Sequence, residues 1–483
     1  MTTHSSPTTP PAPLSPGEER YRESLWIERI LSRETVGGVL LLAATVQGGS
    51  HPALRERAAA QVSTVDADMH PIGGVVPLME QYRYAELATL VLECTTIDGW
   101  HAYGTMEGTN VRVGFDQPDG IVGDLGGSSL EFQRITPSGQ DGQGETHKLG
   151  PFAMAGLEGA KPAERRKAIR KVLKSSDLLT TGARRLYAVG GSWRALASVH
   201  MDIKAYPLAI LHGYPMNGQA VRAVVRTILS TQRDKELASH ISGIVGRRFD
   251  TILHAALVLD EVFDAGGFKE VLISANGLRE GVLFDQGDRL LFETMRAPVG
   301  DALIDGTIAF LRLEQPQRAF GEALYRFIRP VLPKSHQRQR IFKAACLMTD
   351  CGGRFHPDHR ADMAYYLILR SPIRAVSHDD RVLLAHATGA RYTHKFQRPK
   401  QFARIGRDSD DQLARIMGAA MRLGAVYSGR SAPLLSQVAL KPSKSKLVLE
   451  VDGDCEDMIS GTVRKRFEQL ATFMDLDAEI RTV

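Results

Sequence analysis

Hydrophobic and polar positions become readable from residue 119 onward, where the period of the pattern keeps switching. The run GIVGDLGGSSLEFQRI reads as a strand, a tight glycine turn and a second strand entered through Leu130 and Phe132. In KPAERRKAIRKVLKSS, Ala168, Ile169, Val172 and Leu173 recur at helical spacing, with basic residues on the opposite face. RLYAVGGSWRALA predicts a strand, a glycine turn and a helix start. GRRFDTILHAALVLDEVFDAGG predicts an amphipathic helix closed by Gly266 and Gly267. EVLISANGLREGVLF predicts an apolar strand, a turn and a second short apolar segment.

Strands followed by glycine turns and helices predict an α/β layered domain over 118–297. From residue 298 the pattern is mostly helical to about residue 436. A strand-like KLVLEVDG and a helix around 463–473 follow. Residues 1–20, rich in Pro, Thr and Ser, predict a disordered tail. Over 21–117 the periodicity is mixed and carries no strong motif. No internal repeat is visible.

Composition narrows the class. A chain of 483 residues predicts about two to four domains. Its net charge of +5 suits an anionic ligand without requiring one. Cys94, Cys346, Cys351 and Cys455 form no CxxC pair, which argues against a disulfide framework or zinc site and for a reducing, cytoplasmic setting. The longest apolar run, 36–46, is about half the roughly 20 residues of a membrane span, so no membrane association is expected.

Three segments carry candidate chemistry. In DLGGSSLE, Gly126 and Gly127 let backbone N–H groups converge on an anion, and Ser128 and Ser129 add hydroxyl donors. Asp124 is placed to hold a magnesium ion, and Glu131 to orient the metal or an attacking water. A plain hairpin turn with exposed carboxylates fits the same spacing. Gly190 and Gly191, in VGGSWR, offer further N–H donors beside Arg194; a structural turn fits there too. SANGLREG places an Arg–Glu pair between glycines, which either locks a loop or grips phosphate.

The order and spacing of these three segments resemble the Ppx/GppA phosphatases, that is, exopolyphosphatases and guanosine pentaphosphate phosphohydrolases. DLGGSSLE is similar to that family's second phosphate loop, GGSWRALA looks like its later glycine loop, and GLREGVL is a characteristic segment. The resemblance covers roughly 115–483. It implies actin-like (ribonuclease H-like) ATPase lobes followed by a mostly α-helical, HD-like C-terminal domain, with 21–117 as a divergent N-terminal lobe. It also implies magnesium-assisted attack of water on a terminal phosphoryl group of inorganic polyphosphate, or of guanosine pentaphosphate. Asp124 and Glu131 then serve metal and water, Asp124 being the metal ligand. Gly126, Gly127, Ser128, Ser129, Gly190, Gly191 and Arg248 bind phosphate. A homodimer is the expected assembly.

The sequence departs from the family in three ways, one being Ser128 in place of the second loop's third glycine. The first phosphate loop, D-x-G-S-N-S, is missing, and so is the S-G-x-E-E-A-R segment; Glu107 is the only carboxylate near that segment's distance. A non-catalytic polyphosphate- or nucleotide-binding protein is therefore the rival expectation, with a sugar-kinase-type phosphotransferase behind it. His356 and His359 read as structural or solvated rather than metal-bound. The basic stretches 161–174 and 334–343 either track an anionic chain or are solvated helix faces. With no aromatic interleaving, no specific nucleic-acid partner is expected.

Overall fold

The computed structural model describes residues 115, 118–137, 139–157, 159–277, 301–335 and 338–483. The chain divides after Ala102, and everything described belongs to the second unit, Tyr103–Val483. The expectations for 1–20 and 21–117, Glu107, and the LREGVL part of the third segment lie on residues outside the described set, apart from Phe115.

The α/β part is built on strands β1 (Gly120–Leu125), β2 (Leu130–Thr136) and β3 (Gly139–His147), then α1 (Pro162–Leu173), β4 (Arg185–Val189) and α2 (Gly191–Ile203). β5 (Pro215–Asn217), α3 (Gly218–Ser230), α4 (Lys235–Val245), α5 (Phe249–Ala265) and β6 (Glu270–Ile273) complete it. The sheet order is β3-β2-β1-β4-β6-β5. β1, β2 and β3 form an antiparallel meander, while β4 and β6 continue parallel to β1. A three-strand meander extended by parallel strands across its first member is the ribonuclease H-like lobe of the actin-like fold.

Period-two alternation decides what faces what. Ile121, Leu125, Leu130, Phe132, Leu186 and Ala188 point into the core shared with α2 and α5, around the fully buried Trp193. Val122, Ile135, Tyr187 and Val189 point to the opposite face, where Phe115 packs. Gly123 is required on the helix side, because a Cβ there would meet Trp193 and Phe132 at 3.1 and 3.2 Å. The helix expected to be amphipathic, α5, is instead buried from Ala255 through Phe263 without interruption. Its two acidic members inside that run, Asp260 and Glu261, are tolerated because Arg166 and Arg170 of α1 pair with them.

The second part is helical: α6 (Ala302–Leu311), α7 (Gln315–Ile328), α8 (Gln339–Leu347), α9 (Arg360–Leu369), α10 (His378–Tyr392), α11 (Asp408–Ser428) and α12 (Ala432–Leu435). A three-stranded sheet then forms from β7 (Val438–Pro442), β8 (Lys446–Val451) and β9 (Asp477–Thr482), with α13 (Gly461–Phe473) between the last two. Tyr206 and His378 join the two parts: the tyrosine hydroxyl lies 2.8 Å from Nδ1, while Nε2 meets the His212 carbonyl at 3.0 Å.

Candidate functional site at the glycine turn

The β1–β2 register places Asp124 directly opposite Glu131, and Leu125 opposite Leu130. Leu125 and Leu130 close the core beneath the turn, so both carboxylates stand on the other face of the sheet. Like charges directly opposite on antiparallel strands repel. The carboxyl of Asp124 is pushed up to about 6, first by burial, then by Glu131, with the Arg194 charge acting in the opposite direction. Glu131 is also raised, chiefly by burial, although a hydrogen bond with Ser129 and the neighbouring His147 oppose the shift.

The turn itself, 126–129, is closed by the Gly126 N–H donating to the Ser129 carbonyl at 2.9 Å. Its outer side is clamped by the segment after β3. Gly150 N–H donates to Ser128 C=O at 3.1 Å and Phe152 N–H to Gly127 C=O at 2.9 Å. A Cβ at Gly150 would stand 2.4 Å from the Gly127 carbonyl, so only glycine permits this approach. With the Gly127 and Ser128 carbonyls held from behind, the Gly127 N–H has no protein partner among the described residues. A backbone fixed on its carbonyl side with an amide unspent is the arrangement an anion-binding turn requires.

The second glycine turn reaches the same place. β4 runs parallel to β1 with Val189 beside Asp124, so the chain leaves β4 level with the carboxylate. Gly190 has φ of +102° and approaches so closely that a Cβ would lie 2.6 Å from Leu125 C=O and 2.9 Å from Asp124 Oδ1. Gly191 then opens α2, whose N-terminus favours negative charge. Arg248 lies against it: its Nη2 would be 2.4 Å from a Cβ at Gly191. Asp124, Glu131, residues 126–129, Gly190, Gly191 and Arg248 are thus brought to one end of β1 and β4.

The third segment arrives by the parallel pairing of β6 with β4, where Ser274 N–H donates to Ala188 C=O at 2.9 Å. Arg194 links it to the second turn by donating to the Ala275 carbonyl at 3.0 Å. Two contributors were not legible in the sequence. Gly150 carries no motif and acts across a sheet pairing, and His147 influences Glu131 only because β3 folds back beside β2.

Other sequence candidates are placed elsewhere. In 161–174, Arg166 and Arg170 are engaged with Asp260 and Glu261 at 2.5–2.6 Å. In 334–343, Arg338 pairs with Asp380 and Asp410, Arg340 with Asp301, and Lys343 with Glu322. Five of the arginines and lysines in these runs are thus engaged in ion pairs. His356 accepts from the Asp358 N–H in an exposed turn, with His359 5.9 Å from it ring to ring. Among the described residues no group of three or more His, Cys, Asp or Glu is placed to hold a metal. Nor, among them, is any helix long and apolar enough to cross a membrane.

Comparison with known proteins divides the chain. Residues 102–290 match the Ppx/GppA phosphatase family, and 331–480 match the exopolyphosphatase C-terminal family. Residues 3–98 match a different family, queuine tRNA-ribosyltransferase. The tRNA-guanine(15) transglycosylase of Methanosphaera stadtmanae is 46% identical over 84 residues, 17% of this chain and 12% of that protein. Its counterpart in Haloarcula marismortui is 45% identical over 92 residues, 18% of this chain and 19% of that protein. The chain therefore spans less than a fifth of the length of either of these curated relatives. An exopolyphosphatase structure from Cytophaga hutchinsonii is 16% identical, covering 56% of this chain and 82% of its own, at a TM-score of 0.40. Residues 102–290 thus carry a Ppx/GppA phosphatase family domain, and 331–480 an exopolyphosphatase C-terminal domain.

Proposed function

We propose that the chain releases terminal orthophosphate from inorganic polyphosphate, with water as the nucleophile. The observation that supports this reading best is the Asp124–Glu131 pair, opposed across β1 and β2 at the mouth of a clamped glycine turn. Residues 126–129, Gly190 and Gly191 take the terminal phosphoryl oxygens through backbone N–H groups and hydroxyls, and Arg248 adds charge. Glu131, its carboxyl raised by burial, takes a proton from the attacking water. Positioning and charge complementarity supply most of the rate, and no covalent intermediate forms.

Two half-buried carboxylates with mutually unfavourable charge fit a magnesium ion, which protein sites often hold by one or two carboxylates plus substrate phosphates. Asp124 would hold it, and the ion would supply neutralisation of phosphate charge. We further propose that the chain acts as a cytoplasmic homodimer.

A second reading has its own support. The family match begins at 102, so the D-x-G-S-N-S stretch expected upstream has no counterpart within it. On that account the turn binds phosphate without turning it over. Phosphate release from polyphosphate and from guanosine pentaphosphate, with and without Mg²⁺, separates the cases. Mg²⁺-dependent release from polyphosphate supports hydrolysis, faster release from the nucleotide moves the substrate, and a folded sample inert on both leaves only binding.

A further inference from the structure

His200 and Tyr214 are both buried, and the bond between them leaves one ring nitrogen over. Nδ1 of His200 lies 2.7 Å from the Tyr214 hydroxyl and is that hydroxyl's one partner among the described residues. Burial pushes the tyrosine up to about 12, so it keeps its proton and donates it to Nδ1. Burial, and then the Lys204 charge, hold the imidazole below its ordinary value, so the ring is neutral at pH 7. A neutral imidazole that accepts at Nδ1 carries its own proton at Nε2. That Nε2 is buried without a hydrogen-bond partner, on a residue only 4% exposed. A buried donor left unspent is destabilising until an acceptor reaches it.

His200 lines a cleft of about 710 Å³ beside β5, the last strand of the sheet. Lys204, at the end of α2, and Arg226 of α3 line it too, with Asn217, Gln219 and Glu270. Glu270 is spent on Arg185 at 2.6 Å and Arg222 on Asp264 at 2.9 Å, whereas Lys204 and Arg226 have no ion-pair partner among the described residues. The Asn217 side chain accepts from the Ala220 N–H. The Gly218 and Gln219 N–H groups have no acceptor within α3, and this end of the helix favours negative charge. The donors that converge on the cleft therefore call for an anion with several acceptor oxygens, which a phosphate supplies. The cleft is far larger than orthophosphate. Asn217, Gln219 and Glu270 are suited to hydrogen-bond the hydroxyl groups of whatever the phosphate is attached to.

We propose that this cleft binds a phosphate monoester with a hydroxyl-bearing body, its phosphate held by His200 Nε2, Lys204 and Arg226. Asp124 and Gly190 stand at the C-terminal ends of the parallel strands β1 and β4. Glu270 opens β6 at the opposite end and pairs in register with Asn217, on a strand three places from β1. The cleft is thus separate from the turn at 126–129, and nothing in the proposal depends on whether that turn hydrolyses anything.

The test is ligand binding by the full chain at constant ionic strength, followed by calorimetry and by thermal unfolding. AMP and glucose 6-phosphate are the probes, with sulfate as the anion control. Wild type, Lys204→Gln, Arg226→Gln and Arg248→Gln are compared; Lys204 and Arg226 are exposed, so their replacement leaves the fold intact. At least one ester is expected to raise the melting temperature of wild type and Arg248→Gln beyond sulfate. A rise with AMP alone assigns the body to a nucleoside, and with glucose 6-phosphate alone to a sugar. Lys204→Gln and Arg226→Gln are expected to bind that ester at least about tenfold more weakly. The Nε2 resonance of His200 in ring-nitrogen NMR spectra is expected to shift on binding. Neither ester exceeding sulfate in wild type would overturn the proposal, as would an unmoved His200 Nε2 in the bound protein. A rise kept in both glutamine variants of the cleft and lost in Arg248→Gln would place the binding at the turn and overturn it as well.

Discussion

Two acidic pairs lie within one lobe and are treated in opposite ways. Asp260 and Glu261 sit on α5, with Glu261 only 3% exposed, and each has an arginine within 2.6 Å. Asp124 and Glu131 sit opposite each other on β1 and β2, with raised carboxyls and, among the described residues, no ion pair of comparable geometry; Arg194 offsets the repulsion only in part. The first pair is what a fold does with buried charge it must neutralise. The second is charge kept incompletely neutralised beside two glycine turns and a helix N-terminus, as the proposed phosphate site requires.

If that contrast is right, substitutions in the two pairs should fail differently. Glu131→Gln removes the proposed proton acceptor, and Asp124→Asn removes the proposed magnesium ligand. Phosphate release from polyphosphate should fall by about 10²–10⁴ in kcat for Glu131→Gln, and comparably for Asp124→Asn. Both proteins should stay folded by circular dichroism. Residual turnover unchanged by both variants would leave the pair without a catalytic role and favour the binding reading.

Arg166→Ala should do the reverse. It strands Asp260 in the interior, while Arg170 retains two hydrogen bonds to Glu261, and should cost about 3 kcal/mol of stability. Urea unfolding measures this, and kcat per folded molecule should hardly move. A large kcat loss in folded protein would mean that the two pairs are coupled.

Gly150→Ala lies between these extremes. Its added methyl collides with the Gly127 and Ser128 backbone at 2.4 Å and has no flexible side chain to displace. Stability should fall by about 1–3 kcal/mol. KM for polyphosphate should rise while the carboxylates remain in place. An unchanged KM would show that the clamp behind the turn does not set its shape.

The sequence made the turn at 126–129 legible because alternation on both sides fixes the strands and two glycines fix the bend. The strand-then-glycine-then-helix pattern placed Gly190 and Gly191 equally well. β3 escaped notice because GQDGQGETH has no apolar alternation and is held only by pairing with β2. β9 is exposed or half-buried along its length, and β5 is three residues long. The continuous burial of α5 is not legible in its pattern, because the arginines that neutralise its two acids lie over ninety residues away on α1. The unreadable stretch before residue 100 matches another family, which accounts for the absence there of Ppx/GppA motifs.

The smallest effect tests the comparison most directly, because a site that holds charge against its environment should lose stability for doing so. The Asp124 carboxyl sits at about 6 in the folded protein, above its ordinary 3.8, so folding favours its protonated form. Below the ordinary value both states carry the proton and the group is neutral to stability. As pH rises from about 4 to about 6, the unfolded chain releases that proton while the folded chain retains it, and stability falls. Above that window the loss is complete. A shift of this size corresponds to at most about 3 kcal/mol, which solvent reaching a half-buried group reduces to about 1–2 kcal/mol. Asp124→Asn should therefore be more stable than wild type by that amount at pH 7 and about equal to it at pH 4, in metal-free buffer. Denaturant titrations at the two pH values measure the difference. A gain that is the same at both would trace to packing and not to charge, and Asp124 would then resemble Asp260 more than it differs from it.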